Sequence, residues 1–411
     1  MLYQAVDAQL LGLAPARMAA RYWQHVLTHP MMPASYTAAG RATAALCEMF
    51  DRSTKRHNKP GFKLRQTIVD GAEVVVQEEV LLQKPFCNLL HFRRDLPEAA
   101  HGAPQPRVLV VAPMSGHYAS LLRGTVETLL PENDVYITDW HDARLVPLSQ
   151  GEFGLATYID YVLDFIRYLG SDIHIIAVCQ PSPPVLSAVA LLAAAGDPVQ
   201  PRSVTLMGGP IDTRVNPTEV NELSARYPLS WFERSMVYDV PIWHPGALRR
   251  VYPGFLQLGS FVSMNPDRHV GSHFDFFHNL VKGDGESADA HRRFYDEYLS
   301  VMDLSAEFYL DTVRHVFQEH SLPNGTFRHH GVLVEPAAIE RTALLTVEGE
   351  LDDISGAGQT VVSHDLCRNL PAAKKMHHLQ KMVGHYGIFN GRRWRQEIYP
   401  LWRQFALAQA D

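Results

Sequence analysis

The sequence predicts an α/β fold with a mostly parallel central sheet and an inserted cap or lid. Three observations predict it. Short apolar runs alternate with helix-like segments from residue 107 to 207, the alternation stops between about 211 and 335, and it resumes at Thr342. At 411 residues the chain fits one catalytic domain carrying an insertion. We divide it into an N-terminal helical segment (1–60), the first part of the core (61–210), a cap or lid (211–335) and the C-terminal part of the core (336–411).

Residues 1–60 carry helical periodicity. Leu10, Leu11, Leu13, Met18, Ala19, Tyr22, Trp23 and Val26 form an apolar face expected to pack on the body of the protein, and His29-Pro30-Met31-Met32-Pro33 interrupts the pattern. Residues 63–70 and 74–82 are strand candidates. The run 107–112 suits a strand buried on both faces, with 113–118 as the loop after it and 121–130 as a helix. Another strand is expected over 135–140. In 158–169, Ile159, Val162, Leu163, Ile166 and Leu169 recur at helical spacing. The strand-like run 174–178 ends abruptly at Cys179, and 185–195 reads as a helix closed by Gly196. Pro181, Pro183 and Pro184 predict that this helix starts late or irregularly. A strand over 203–207 follows, and 342–347 restores the sheet pattern after the aromatic-rich and histidine-rich cap.

Composition excludes several classes. The chain has 37 basic and 44 acidic residues, so its net charge of -7 offers no electrostatic footprint for nucleic acid or an anionic membrane surface. No uncharged run is long enough for a transmembrane segment, and the N-terminus, with Asp7 inside its apolar part, does not read as a secretory signal. The four cysteines, Cys47, Cys87, Cys179 and Cys367, show no C-x-x-C pair, which predicts neither a disulfide framework nor a zinc site. No metal or organic cofactor is indicated. A cytoplasmic location is expected.

Chemistry concentrates at three places. Cys179 stands between a strand and a helix, where a nucleophile elbow projects its side chain and turns the next N–H toward a developing oxyanion. Gly349-Glu350-Leu351-Asp352-Asp353 follows the strand over 342–347, and Gly384-His385-Tyr386-Gly387 lies near the C-terminus. Nucleophile, acid, histidine is the chain order of the α/β-hydrolase fold. Cys179, Asp352 and His385 are therefore the candidate catalytic residues, with Asp352 preferred to Asp353 and His385 to His377 and His378. The backbone N–H groups of Gln180 and of Met114 or Ser115 are the candidate oxyanion donors. His117 is a candidate substrate contact because its loop should border that hole. The elbow departs from Gly-x-nucleophile-x-Gly, since Ala177 and Pro181 take the glycine positions.

These motifs, with Asp139-Trp140, Tyr252-Pro253-Gly254-Phe255-Leu256-Gln257-Leu258 and the 264–269 run Met-Asn-Pro-Asp-Arg-His, make the chain resemble bacterial intracellular polyhydroxybutyrate depolymerases over nearly its whole length. The resemblance implies a Cys179-Asp352-His385 triad, a polyhydroxybutyrate granule as partner, and cleavage of amorphous polymer in the cytoplasm through an acyl-cysteine. Water and CoA both stay open as acyl acceptors. Polyhydroxyalkanoate synthases are similar in core and triad, so an acyltransferase is the first alternative; a non-catalytic granule-associated protein is the second. An insoluble polyester calls for an aromatic entrance, for which Trp231, Phe232, Tyr238, Trp243, Tyr252, Phe255 and Phe261 are the candidates.

Overall fold

The computed structural model of the protein describes residues 2–96, 105–264 and 266–409. The strands are, in chain order, β1 (Gln66–Val69), β2 (Ala72–Lys84), β3 (Cys87–Arg94), β4 (Arg107–Val111), β5 (Asp134–Trp140), β6 (Ile173–Val178), β7 (Ser203–Met207), β8 (Tyr238–Asp239), β9 (Arg250–Tyr252), β10 (Leu304–Ser305), β11 (Arg328–His329), β12 (Val332–Leu333), β13 (Ala343–Gly349) and β14 (Lys375–Gln380). Nine of them form one sheet in the order β1-β2-β3-β5-β4-β6-β7-β13-β14. Pairing is antiparallel from β1 to the β3–β5 contact and parallel from β5 to β14. This is a mostly parallel sheet of the α/β-hydrolase type.

The central strands follow from their composition. β6, Ile-His-Ile-Ile-Ala-Val, is buried at every position, and Val108 to Val111 of β4 are fully buried. Helices cover such strands on both faces, so every outward side chain still meets apolar surface. The helix Leu155–Leu169 turns Ile159, Val162, Phe165 and Ile166 into the core and closes at Gly170, whose φ is +85°.

The helix after Cys179 runs from Ser182 to Ala194, three residues earlier than expected from its prolines. Pro183 and Pro184 fall in its first turn, where backbone N–H groups have no intrahelical partner, so the missing donors cost nothing. β3 was not anticipated. It alternates half-buried and buried residues and joins the antiparallel edge to β5.

Between β7 and β13 lie the helices Glu219–Arg226, Leu229–Met236, Gly254–Met264, Pro266–Lys282, Gly285–Tyr298 and Ala306–Thr312, a small β10-β9-β8 sheet and the β11–β12 hairpin. This segment is tied to the core near the end of β4. The Met302 N–H donates to Gly116 O at 2.7 Å, and His117 pairs with Val301 in an isolated bridge. Asp303 joins three parts of the chain: its Oδ2 accepts from the buried Tyr3 hydroxyl at 2.5 Å, its Oδ1 from Gly254 N at 2.9 Å, and its N–H donates to Asp142 Oδ1 at 3.2 Å. Burial and the neighbouring Asp142 carboxylate push the Asp303 carboxyl up to about 6.

The N-terminal segment departs from expectation. Its helices are Leu2–Gly12, Ala14–Thr28 and Ala38–Thr54. Leu10, Leu13 and Val26 are partly covered, but Leu11, Met18, Ala19, Tyr22 and Trp23 face solvent. The helix Ala14–Thr28 is held on Ala38–Thr54 by polar links, Arg21 to Asp51 at 2.7 Å and Gln24 to Glu48 at 2.8 Å, so its apolar residues are not all needed for docking.

Candidate active site

Cys179 leaves β6 with a φ of +68°, a left-handed conformation that costs a non-glycine residue about 1–3 kcal/mol. Its surroundings hold it there. The Cys179 N–H donates to Met207 O on β7 at 2.7 Å, and the Cys179 carbonyl accepts from Ser182 N at 3.0 Å as the helix begins. Gly209 lets this turn close, because a Cβ there would stand 2.0 Å from Ser182 Oγ and 3.1 Å from Cys179 O. Thr360 fixes Gly209, with its hydroxyl accepting from Gly209 N at 2.8 Å and donating to Gly209 O at 2.9 Å. Buried Glu348, on β13, anchors that neighbour by accepting from Gly358 N, Thr360 N and Val361 N.

The loops after β13 and β14 bring Asp352 and His385 to the elbow. Asp352 Oδ1 accepts from Ile354 N at 2.9 Å and Ser355 N at 2.8 Å, which leaves Oδ2 for His385 Nδ1 at 2.7 Å. The other ring nitrogen, Nε2, is thereby left free of Asp352, and Cys179 lies near enough for its charge to act on the imidazole. Burial opposes charge on the His385 imidazole, but the Cys179 and Asp352 charges and the Asp352 hydrogen bond outweigh it and hold its pKa well above the ordinary histidine value. All three side chains are nearly inaccessible, with Cys179 at 9% and His385 at 5% exposure. A carboxylate that fixes an imidazole against a thiol raises the thiolate fraction and returns a proton to a leaving group.

Asp353 is exposed, next to buried Asp352, and His377 and His378 lie on β14, where His377 Nδ1 is 2.9 Å from Thr346 Oγ1. Packing at the site is close at Gly208, φ +55°: a Cβ would come to 2.7 Å from Ile388 Cδ1 and 3.2 Å from both Asp352 Oδ2 and His385 Cε1. The Gly208-Gly209 pair reads in the sequence only as a turn. Its signal is that it follows the strand beside the elbow, where backbone must approach side chains closely.

The loop after β4 meets the elbow directly. Met114 N donates to the Gln180 side-chain Oε1 at 3.2 Å. Neither Gln180 N nor Ser115 N has a hydrogen-bond acceptor among the described residues. Gly116, φ +105°, lies against buried Gln257, whose Oε1 would be 2.7 Å from a Cβ there and whose amide donates to Tyr252 O at 3.1 Å and Met302 O at 3.3 Å. The cap thus braces this loop from outside.

His117 is buried, its Nε2 is 3.0 Å from Tyr298 O, and desolvation lowers its pKa to about 4. It stitches the loop to the cap. The aromatic residues expected at an entrance each have contacts within the fold. Trp231 stacks on Tyr227 at 4.3 Å, Tyr252 on Tyr309 at 4.1 Å, and Phe255 meets Tyr3 edge-on at 5.6 Å. Phe232 is buried, Tyr238 donates to Ser235 O, and Trp243, largely exposed, donates from Nε1 to Asp7 Oδ2 at 3.0 Å. These contacts lie within the cap and against the N-terminal helix. The Phe261 side chain and Asn265 lie outside the described residues. Tyr386, which the sequence does not single out, meets the His385 ring edge-on at 5.9 Å. Its place between His385 and Gly387 was the available signal.

Residues 208–410 match the family described as PHB de-polymerase C-terminus. No curated protein matches the chain. Among solved structures, a soluble variant of monoglyceride lipase from Saccharomyces cerevisiae is similar at 11% identity and a TM-score of 0.48, over 82% of this chain and 97% of that one. The 2-hydroxy-6-oxo-6-phenylhexa-2,4-dienoate hydrolase of Rhodococcus sp. strain RHA1 is similar at 14% identity and a TM-score of 0.42, over 81% and 99% of the two chains. A thermophilic esterase from Thermogutta terrifontis is similar at 13% identity and a TM-score of 0.39, over 83% and 97%. No helix among the described residues is long and apolar enough to cross a membrane. The matched region carries both the Asp352 and the His385 loops on a sheet of the α/β-hydrolase type, so residues 208–410 belong to the family described as PHB de-polymerase C-terminus.

Proposed function

We propose that the protein cleaves ester bonds of amorphous poly(3-hydroxybutyrate) at the surface of cytoplasmic storage granules, through an acyl-cysteine on Cys179. The observation that carries this reading is the elbow cysteine at φ +68° with the His385–Asp352 pair behind it. Cys179 Sγ attacks the ester carbonyl while His385 Nε2 takes the thiol proton. The tetrahedral oxyanion is received by the free Gln180 N–H and by the Ser115 N–H. Met114 N–H, held by the Gln180 side chain, braces the loop instead. Each oxyanion donor contributes about 3 kcal/mol to lowering the barrier.

Collapse of the intermediate breaks the C–O bond, and His385 gives its proton to the departing 3-hydroxy group. Asp352 keeps the imidazole oriented and stabilises its charged form. A water molecule, deprotonated by His385, then attacks the thioester and releases 3-hydroxybutyrate or an oligomer.

Trapping tests the covalent step. A 3-hydroxybutyrate oligomer mixed with the wild type and quenched in acid within the first turnover is expected to add one hydroxyacyl unit to the peptide containing Cys179. Peptide fragmentation should place the unit on sulfur. An acyl group on Ser115 or Ser182 would overturn the assignment.

A further inference from the structure

Away from the elbow, one carboxylate is shared by two imidazoles. Asp160 projects from the helix Leu155–Leu169, and His329 and His330 sit at the tip of the β11–β12 hairpin. His329 Nε2 is 2.9 Å from Asp160 Oδ1, and His330 Nε2 is 2.9 Å from Oδ2. One ligand atom from each of the three residues lies within 4.8 Å of the others. We propose that Asp160, His329 and His330 form a binding site for a divalent transition metal of the Zn²⁺ or Co²⁺ type, which clamps the hairpin to the core helix.

The donor set suits such an ion, since imidazole and carboxylate together favour zinc and its neighbours over calcium or magnesium. With metal–ligand bonds of about 2.1 Å, adjacent ligands stand roughly 3.0 Å apart around an octahedral ion and roughly 3.4 Å around a tetrahedral one. The two 2.9 Å imidazole–carboxylate spacings match these values, and the two imidazole nitrogens, within 4.8 Å of each other, close the rest of the way on binding. His330 is 61% exposed at its side chain and leaves an entry path and room for water ligands.

The hairpin geometry delivers the second imidazole. With His329 paired to Val332, the loop is His330-Gly331, and both residues have positive φ, +45° and +83°. That is the pattern of a type I′ turn, whose first position favours asparagine or glycine. A histidine is held there facing Asp160. The His329 Nδ1 is buried with no partner among the described residues, so the site lacks an outer acceptor on that ring. Affinity is accordingly expected in the micromolar range rather than that of a structural zinc centre.

The test uses the full chain, freed of metal by a chelator, titrated with Co²⁺ by visible absorption and with Zn²⁺ by calorimetry. One equivalent should bind, without a thiolate-to-cobalt charge-transfer band, and raise the melting temperature. His330→Asn keeps a residue suited to the turn and removes one ligand; it should weaken binding at least ten-fold. Asp160→Asn should weaken it similarly, and turnover of a soluble ester by metal-free His330→Asn should equal that of the metal-free wild type. Absence of binding to the wild type, equal binding to His330→Asn, or a charge-transfer band lost in Cys179→Ala would overturn the proposal.

Discussion

Replacing Asp352 by asparagine changes one atom, and the geometry fixes what that atom does. Asp352 Oδ1 is claimed by two rigid backbone donors, Ile354 N and Ser355 N, and Oδ2 by His385 Nδ1. Turning the amide nitrogen toward the two N–H groups would leave them without acceptors at about 1–3 kcal/mol each. The amide oxygen therefore stays on that side and the NH₂ faces His385. Donating to Nδ1, it forces the imidazole proton onto Nε2, where the ring can no longer accept from the thiol. The same tautomer error in serine-based sites costs about 10⁴ in kcat, and a thiol, more nucleophilic by itself, should suffer about 10³, or roughly 4 kcal/mol. The assay is kcat and kcat/KM on a soluble 3-hydroxybutyrate ester, with iodoacetamide alkylation of Cys179 followed against pH. Alkylation near neutral pH should slow, because the ring can no longer take the thiol proton. A folded Asp352→Asn variant with less than a ten-fold loss would refute the tautomer argument.

Two further outcomes follow from packing and charge. Gly208→Ala places a Cβ 3.2 Å from Asp352 Oδ2 and His385 Cε1 in a left-handed conformation, so kcat should fall about 10²-fold while the protein stays folded; wild-type kcat would show that the pair tolerates displacement. Asp303, raised by burial and by Asp142 to about 6, binds its proton more tightly folded than unfolded. Its contribution to stability is fully present below about pH 4, the unfolded value, and is lost as pH rises through about 6. Thermal melts from about pH 4 to 7 should therefore decline more steeply in the wild type than in Asp303→Asn, and parallel curves would contradict that direction.

Much of the sheet was legible because a strand buried on both faces has to be continuously apolar, as in β4 and β6. β3 was not, because a strand bearing His91, Arg93 and Arg94 on an antiparallel edge carries no such run. At the site, Cys179, Asp352 and His385 stood out because each follows a strand in a fixed chain order, and the structure brings the three side chains together. Gly208 and Gly209 did not stand out, since what a glycine avoids touching is a tertiary fact. The roles of the aromatic rings are not legible either. Tyr252 and Trp231 look alike in sequence whether they line an entrance or stack on Tyr309 and Tyr227. The prolines after Cys179 predicted a delayed helix because each biases the residue before it away from helical geometry, yet Pro183 and Pro184 fit the first turn, where no N–H is needed.

The central claim, that Cys179 cleaves granule polyester, is tested most directly by release of 3-hydroxybutyrate equivalents from native amorphous granules. Wild type and Cys179→Ala are compared, with granule binding measured for both. The account predicts that both bind and that only the wild type releases product. Release by Cys179→Ala near the wild-type rate, or binding by the wild type without any release, would contradict it.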